Sequence, residues 1–195
     1  SFFAKTPSIA IYNIEKGISI NRLEGHPSLS HQGYVPITPE KKMRFFGLVD
    51  LMVGIDGIDF SKNGKYLYWA PMGHSKLFRI RSDKILDFEL SNEELAEYIE
   101  EVSTKPLSDG IRTDENGLIY ITDIEHQGIQ IVLPDDESKT LIKDPRIRWA
   151  DGLSLGADGF MYLADSDIPN MMLESKSHMA KNAPYQIFRF EAYSP

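Results

Sequence analysis

An internal repeat limits what this chain can fold into more than any other feature of it. Three segments share one pattern. The first runs Ile55-Asp56-Gly57-Ile58-Asp59-Phe60, then Asn63-Gly64, then Tyr66-Leu67-Tyr68-Trp69. The second runs Ser108-Asp109-Gly110-Ile111, Asn116-Gly117, Leu118-Ile119-Tyr120-Ile121. The third runs Ala150-Asp151-Gly152-Leu153, Asp158-Gly159, Phe160-Met161-Tyr162-Leu163. Each time Asp-Gly opens a short apolar strand, and a turn glycine follows the Asp by 8 residues. Asn-Gly or Asp-Gly between apolar runs is a strong hairpin signal; in a two-residue turn both positions need positive φ.

The Asp-to-Asp spacings are 53 and 42 residues. Ser91-Asn92-Glu93-Glu94 explains the difference, because a Ser three residues before a Glu is a capping box. A helix near 92–102, of about 11 residues, restores a period near 42, which is β-propeller territory at about four strands per blade. Leu77–Ile80, Ile129–Val132 and Ile187–Phe190 supply a third strand in each blade, and Ile9–Ile14 resembles that same strand. The expected blade segments are 8–24 (the end of a blade), 53–90, 107–143 and 149–192. The expectation is an all-β, partial six-bladed β-propeller with about three and a half blades present. Missing chain or another copy would supply the rest.

Composition narrows the function. The net charge of −8 over 195 residues disfavours nucleic acid, whose phosphates an acidic surface repels. No cysteine is present, which removes disulfides, thiolate metal sites and a Cys nucleophile. No apolar run approaches the roughly 18 residues of a membrane span, and no signal peptide is visible.

In a hairpin, the start of the first strand and the end of the second share one face. Asp56, Asp109 and Asp151 therefore ring a central funnel, joined by the loops that hold His74, Asp123, Glu125, His126, Asp165 and Asp167. Converging carboxylates raise each other's pKa unless a cation intervenes. A hard divalent metal, a protonated amine, or general acid–base work each suits them. So does a purely local role, because Asp before Gly also caps backbone N–H groups. Trp149 either lines the funnel mouth or packs between blades, and Met171-Met172 suits a flexible lid or a local packing patch. Gly152-Leu153-Ser154-Leu155-Gly156 matches the nucleophile-elbow pattern, but the repeat places Ser154 in mid-strand, where an elbow cannot form.

Val53-Gly54-Ile55-Asp56-Gly57-Ile58, Gly64–Pro71 and Lys76–Ile80 resemble the yellow/major royal jelly protein family. So do Asp144–Ser154 and Asp158–Tyr162, although Trp149-Ala150-Asp151 stands where that family usually has Trp-Pro-Asp. The resemblance implies a longer six-bladed propeller that is extracellular or periplasmic. It also implies a small-molecule ligand, with dopachrome conversion in some members and amine binding in others. More distantly the chain is similar to the gluconolactonase/regucalcin group, where a divalent metal (Ca, Mn, Mg or Zn) sits at strand starts matching Asp109 and Asp151. On that basis Asp109 and Asp151 are the expected metal ligands and catalytic groups, and His126 joins them because Asp123 and Glu125 stand beside it in the chain. Asp56, Trp149, Asp123, Glu125 and Asp165 are the expected ligand contacts. The function expected is that of an isomerase or a lactone hydrolase, with a non-catalytic amine binder or an interaction scaffold as the alternative.

Overall fold

The runs Tyr66–Ala70 and Ile119–Asp123 are apolar on both faces, as strands sandwiched between two layers must be. They are the second strands of two four-stranded antiparallel sheets. The computed structural model describes residues 6–194. It begins with a two-stranded ribbon of β1 (Ile9–Asn13) and β2 (Ile18–Arg22). A short hairpin of β3 (Arg44–Phe45) and β4 (Val49–Asp50) follows. The first full blade orders β5 (Gly57–Phe60), β6 (Tyr66–Ala70), β7 (Lys76–Arg81) and β8 (Glu100–Thr104). The next orders β9 (Ile111–Thr113), β10 (Ile119–Asp123), β11 (Gly128–Val132) and β12 (Ser138–Lys143). The last sheet has three strands, β13 (Ala150–Leu155), β14 (Phe160–Asp165) and β15 (Ile187–Glu191).

Period-2 alternation sends neighbouring side chains into different interfaces. Leu67 and Trp69 pack toward β1–β2, with Ile9 and Leu23. Tyr68 and Ala70 pack the other way, against Ile111, Ile119 and Ile121. Leu118 and Tyr120 then meet Met161 and Leu163 of the last sheet. Each sheet is thus glued to the next by apolar burial, the dominant favourable term in folding.

Two expectations need correction. The capping box forms as read: Ser91 Oγ accepts from Glu94 N at 3.2 Å, and Glu94 Oε2 accepts from Ser91 N at 2.8 Å. Its helix, α2 (Asn92–Ala96), is only five residues long, and a one-turn helix α1 (Ser82–Ile85) precedes it. Residues 100–104 are instead the outer strand β8, so this sheet extends past residue 90 to Thr104. Val102 alternates with exposed Glu101 and half-buried Ser103, a strand pattern that a cap upstream does not override. The buried Arg22 side chain holds the helical insertion, donating to the carbonyls of Ile85, Leu90 and Asp87.

The second correction concerns the hairpin turns. Only the glycines have positive φ: Gly64 (68°), Gly117 (81°) and Gly159 (81°). In each turn that glycine's N–H bonds the carbonyl three residues back, on Ser61, Asp114 or Gly156. These are type I turns closed by a left-handed glycine, so Asn63, Asn116 and Asp158 need no positive φ.

The glycine after each strand-start Asp has a different role. A Cβ on Gly57 would lie 3.2 Å from the carbonyl oxygen of Asp109, and one on Gly110 would collide with that of Asp151. Asp-Gly therefore lets consecutive inner strands approach backbone to backbone, which draws the three aspartates together.

Candidate active site

Asp56, Asp109 and Asp151 lie at the starts of β5, β9 and β13, on one face of the sheets. Two of them meet directly, since the Asp56 and Asp109 carboxyls share a hydrogen bond. Two carboxyls hydrogen-bond only when one keeps its proton. Burial, followed by the opposing Asp56 charge, pushes Asp109 up to about 8. Burial also raises Asp56, and the charge of Asp151 adds to the rise in both. Each carboxyl therefore keeps its proton to a higher pH than an ordinary aspartate does.

Trp149 fixes the orientation of Asp109. Its indole N–H donates to Asp109 Oδ2 at 2.6 Å, which opposes the upward push. Thr122 holds the same strand start by accepting from Asp109 N (2.9 Å) and Gly110 N (3.0 Å). Trp149 is 1% exposed and both packs and lines the site, which joins the two roles proposed for it.

The pair opens into a cavity of about 220 Å³. Its remaining walls are Leu51, Met72, Ile168 and Met172. They belong to an apolar cluster with Met43, Leu107 and Ile124. Leu51 comes from the long 25–56 excursion, and Ile168 and Met172 from the 166–186 excursion, which carries α3 (Ile168–Met171) and α4 (Lys176–Lys181). The two excursions are tied together: Asn170 donates to Glu40 at 2.5 Å, and Lys41 pairs with Glu174 at 3.1 Å.

The other expected residues lie outside the cavity. Asp165 is 2% exposed and accepts from Arg148 N (2.9 Å), Trp149 N (2.7 Å) and Arg148 Nε (2.8 Å). It positions Trp149 and has no contact with the cavity. Arg148 reaches on to Asp167 at 2.6 Å and to the carbonyls of Asn182 and Pro184. Asp123 accepts from the backbone and ring nitrogens of His126 at 3.0 and 2.9 Å. The His126 side chain is 63% exposed. Glu125 accepts from Ile37 N at 2.8 Å and so anchors the 25–56 excursion. Ser154 is an exposed mid-strand residue paired with Tyr162, as the repeat required.

Among the described residues no three His, Asp or Glu groups stand close enough to hold a metal ion. The Asp56 and Asp109 carboxyls engage each other, and Trp149 takes an oxygen of Asp109. These donors do not fit the expected divalent metal site, and no step below passes through one.

Sequence reasoning missed the apolar walls other than Met172, and the Thr122 contact. It also missed Lys105, whose amine burial pushes down to about 7 while it donates to Pro106 O at 3.0 Å. No sequence signal marked it, because Asp123, whose charge acts on it, is distant in the chain.

No family profile matches the chain, and no curated protein matches it. Solved structures do. A gluconolactonase from Xanthomonas campestris is 14% identical with a TM-score of 0.53, over 83% of this chain and 42% of that one. The fold is that of a β-propeller. A luciferin-regenerating enzyme is 15% identical with a TM-score of 0.51, over 73% of this chain and 47% of that one. Virginiamycin B lyase from Staphylococcus aureus is 16% identical with a TM-score of 0.51, over 96% and 50%. The chain thus spans about half the length of the structures it matches. These likenesses carry the architecture of a partial propeller. The resemblance to the yellow/royal jelly family finds no match among them.

Proposed function

We propose that this chain carries the reacting half of a small-molecule propeller enzyme, in which Asp56 and Asp109 do general acid–base work on a carbonyl compound. The observation that carries the reading is the pairing of two buried carboxyls, Asp56 and Asp109, in one largely apolar pocket. One carboxyl is a base and its neighbour an acid at the same pH, which neither achieves alone.

The reaction favoured is isomerisation by proton transfer. The ionised carboxyl takes a proton from a carbon next to the carbonyl, and that C–H electron pair becomes the new double bond. The protonated carboxyl gives its proton to the carbonyl oxygen, so the two acids exchange states and the hydrogen bond between them restores the start. Trp149 holds Asp109 in place throughout.

Lactone hydrolysis is the second reading, supported by the gluconolactonase-like architecture. The ionised carboxyl would then take a proton from water as it adds to the carbonyl carbon, and the protonated carboxyl would give its proton to the ring oxygen as the acyl–oxygen bond breaks. Isotopes separate the two. The full-length protein is incubated with small cyclic ketones and lactones in D₂O, and in parallel in ¹⁸O-water, with mass-spectrometric readout. Isomerisation puts deuterium on carbon, and hydrolysis puts ¹⁸O into the acid product. Both signals should vanish in Asp109→Asn. If incorporation is unchanged in that variant, the carboxyl pair is not the reacting group. If a small organic amine binds at the pair and no incorporation occurs, the site is a binding site only.

A further inference from the structure

The cavity walls narrow the substrate class, an inference that rests on the acid–base reading above. The polar side chains that line the cavity are those of Asp56, Asp109 and Trp149. Trp149 has already given its only N–H to Asp109, and one oxygen of Asp109 is taken in accepting it. The two carboxyls spend a further donor and acceptor on each other. What remains can satisfy one or two polar groups on a ligand. Elsewhere the ligand meets two methionine side chains, a leucine and an isoleucine.

We infer that the substrate is a neutral, largely apolar single ring with one reacting carbonyl, and that polyhydroxylated rings such as sugar lactones are rejected. The size agrees. An apolar cavity of roughly 150 Å³ admits benzene, and this one, at about 220 Å³, leaves room for a ring with a few added atoms. The selection is chemical as well as steric. Each hydroxyl buried here without a partner weakens binding by roughly ten-fold or more. Binding an anion would place a further negative charge beside Asp56, Asp109 and Asp151, so carboxylated rings are excluded too. This separates the chain from the activity in the name of its gluconolactonase neighbour, although the architecture is alike.

Calorimetric titration of the full-length protein tests the inference, with cyclohex-2-enone and δ-valerolactone against glucono-1,5-lactone. The apolar rings should bind at least ten-fold tighter. Met172→Gln, which adds an amide to a loop-borne wall, should shrink that margin several-fold. Equal or tighter binding of glucono-1,5-lactone, or no binding of any probe, overturns the inference. Turnover keeps the two readings apart. Asp109-dependent turnover of the sugar lactone sinks the substrate class and leaves the acid–base reading standing. Ring preference without any Asp109-dependent proton exchange does the reverse.

Discussion

Aspartates at the starts of the inner strands and aspartates at the ends of the second strands share one face of this protein, yet their surroundings are opposite. Asp56 and Asp109 face each other and an apolar wall, and burial raises the pKa of both. Asp165 faces two backbone N–H groups and a guanidinium, and Asp123 faces the backbone and ring nitrogens of His126. A carboxyl supplied with N–H donors builds structure, because its lone pairs are already used. A carboxyl supplied with another carboxyl has a proton to move. Charge alone does not distinguish the two classes; the neighbouring donors do.

The sharpest way to break this comparison is to neutralise one carboxyl of the pair. Asp109→Asn keeps the shape and the bond from Trp149 but removes the exchangeable proton. Turnover should fall by about 10²–10⁴-fold, the usual worth of a positioned acid or base. Stability should respond with a definite sign. Asp109 holds its proton in the native state up to about 8, while the unfolded chain releases it near the ordinary aspartate value of 3.8. The unfolded state is therefore favoured progressively as pH rises between those values, and native stability falls across that window. The wild-type melting temperature should decline from about pH 4 to about pH 8. The Asn variant should lack this part of the decline, as scanning calorimetry across pH would show.

Removing a strand-end carboxyl should damage structure first. Asp165→Ala takes away the partner of an Arg148 guanidinium whose side chain is only 18% exposed, and strands two backbone N–H groups. A loss of about 3 kcal/mol in denaturant unfolding is expected, in the range for breaking a buried pair. Turnover measured on the fraction that remains folded should fall less than in Asp109→Asn. Asp167 still pairs with Arg148 and keeps Trp149 roughly in place.

Trp149 links the two classes, because Asp165 holds its backbone and Asp109 receives its indole N–H. Trp149→Phe keeps the packing and deletes the donor. That bond opposes the rise of the Asp109 pKa, so its removal pushes Asp109 further up. The alkaline limb of the pH–rate profile should move to higher pH by about one unit, equivalent to a charge-assisted hydrogen bond of roughly 1.5 kcal/mol. A limb that stays in place would detach Trp149 from the pair.

The repeat made the architecture and the strand-start aspartates legible, because spacing and turn chemistry are local and recur. Trp149 was visible for the same reason, standing two residues before Asp151. The cavity walls were not. Leu51 and Ile168 come from the two excursions that break the repeat, and only chain crossing brings them together. Asp165 was assigned to the ligand because position in the repeat shows which face a residue reaches and not which donors already surround it. The helical insertion between β7 and β8 teaches the same point. A capping box marks where a helix begins, whereas β8 pairing with β7 decided where it stops.

His126 is the gentlest test of the comparison. It stands beside Asp123 and Glu125 in the chain, and that adjacency made it look catalytic. In the fold its ring is largely exposed and bonds Asp123, outside the cavity that holds the pair. His126→Ala leaves the backbone N–H that Asp123 also accepts, since any residue supplies one. Stability should change by no more than about 0.5 kcal/mol, the range of an exposed pair. The rate constant and its pH profile should not move. A ten-fold fall in turnover with normal stability would mean that a strand-end carboxylate and its histidine take part in the chemistry. The division between structural and reacting aspartates would then fail at Asp123.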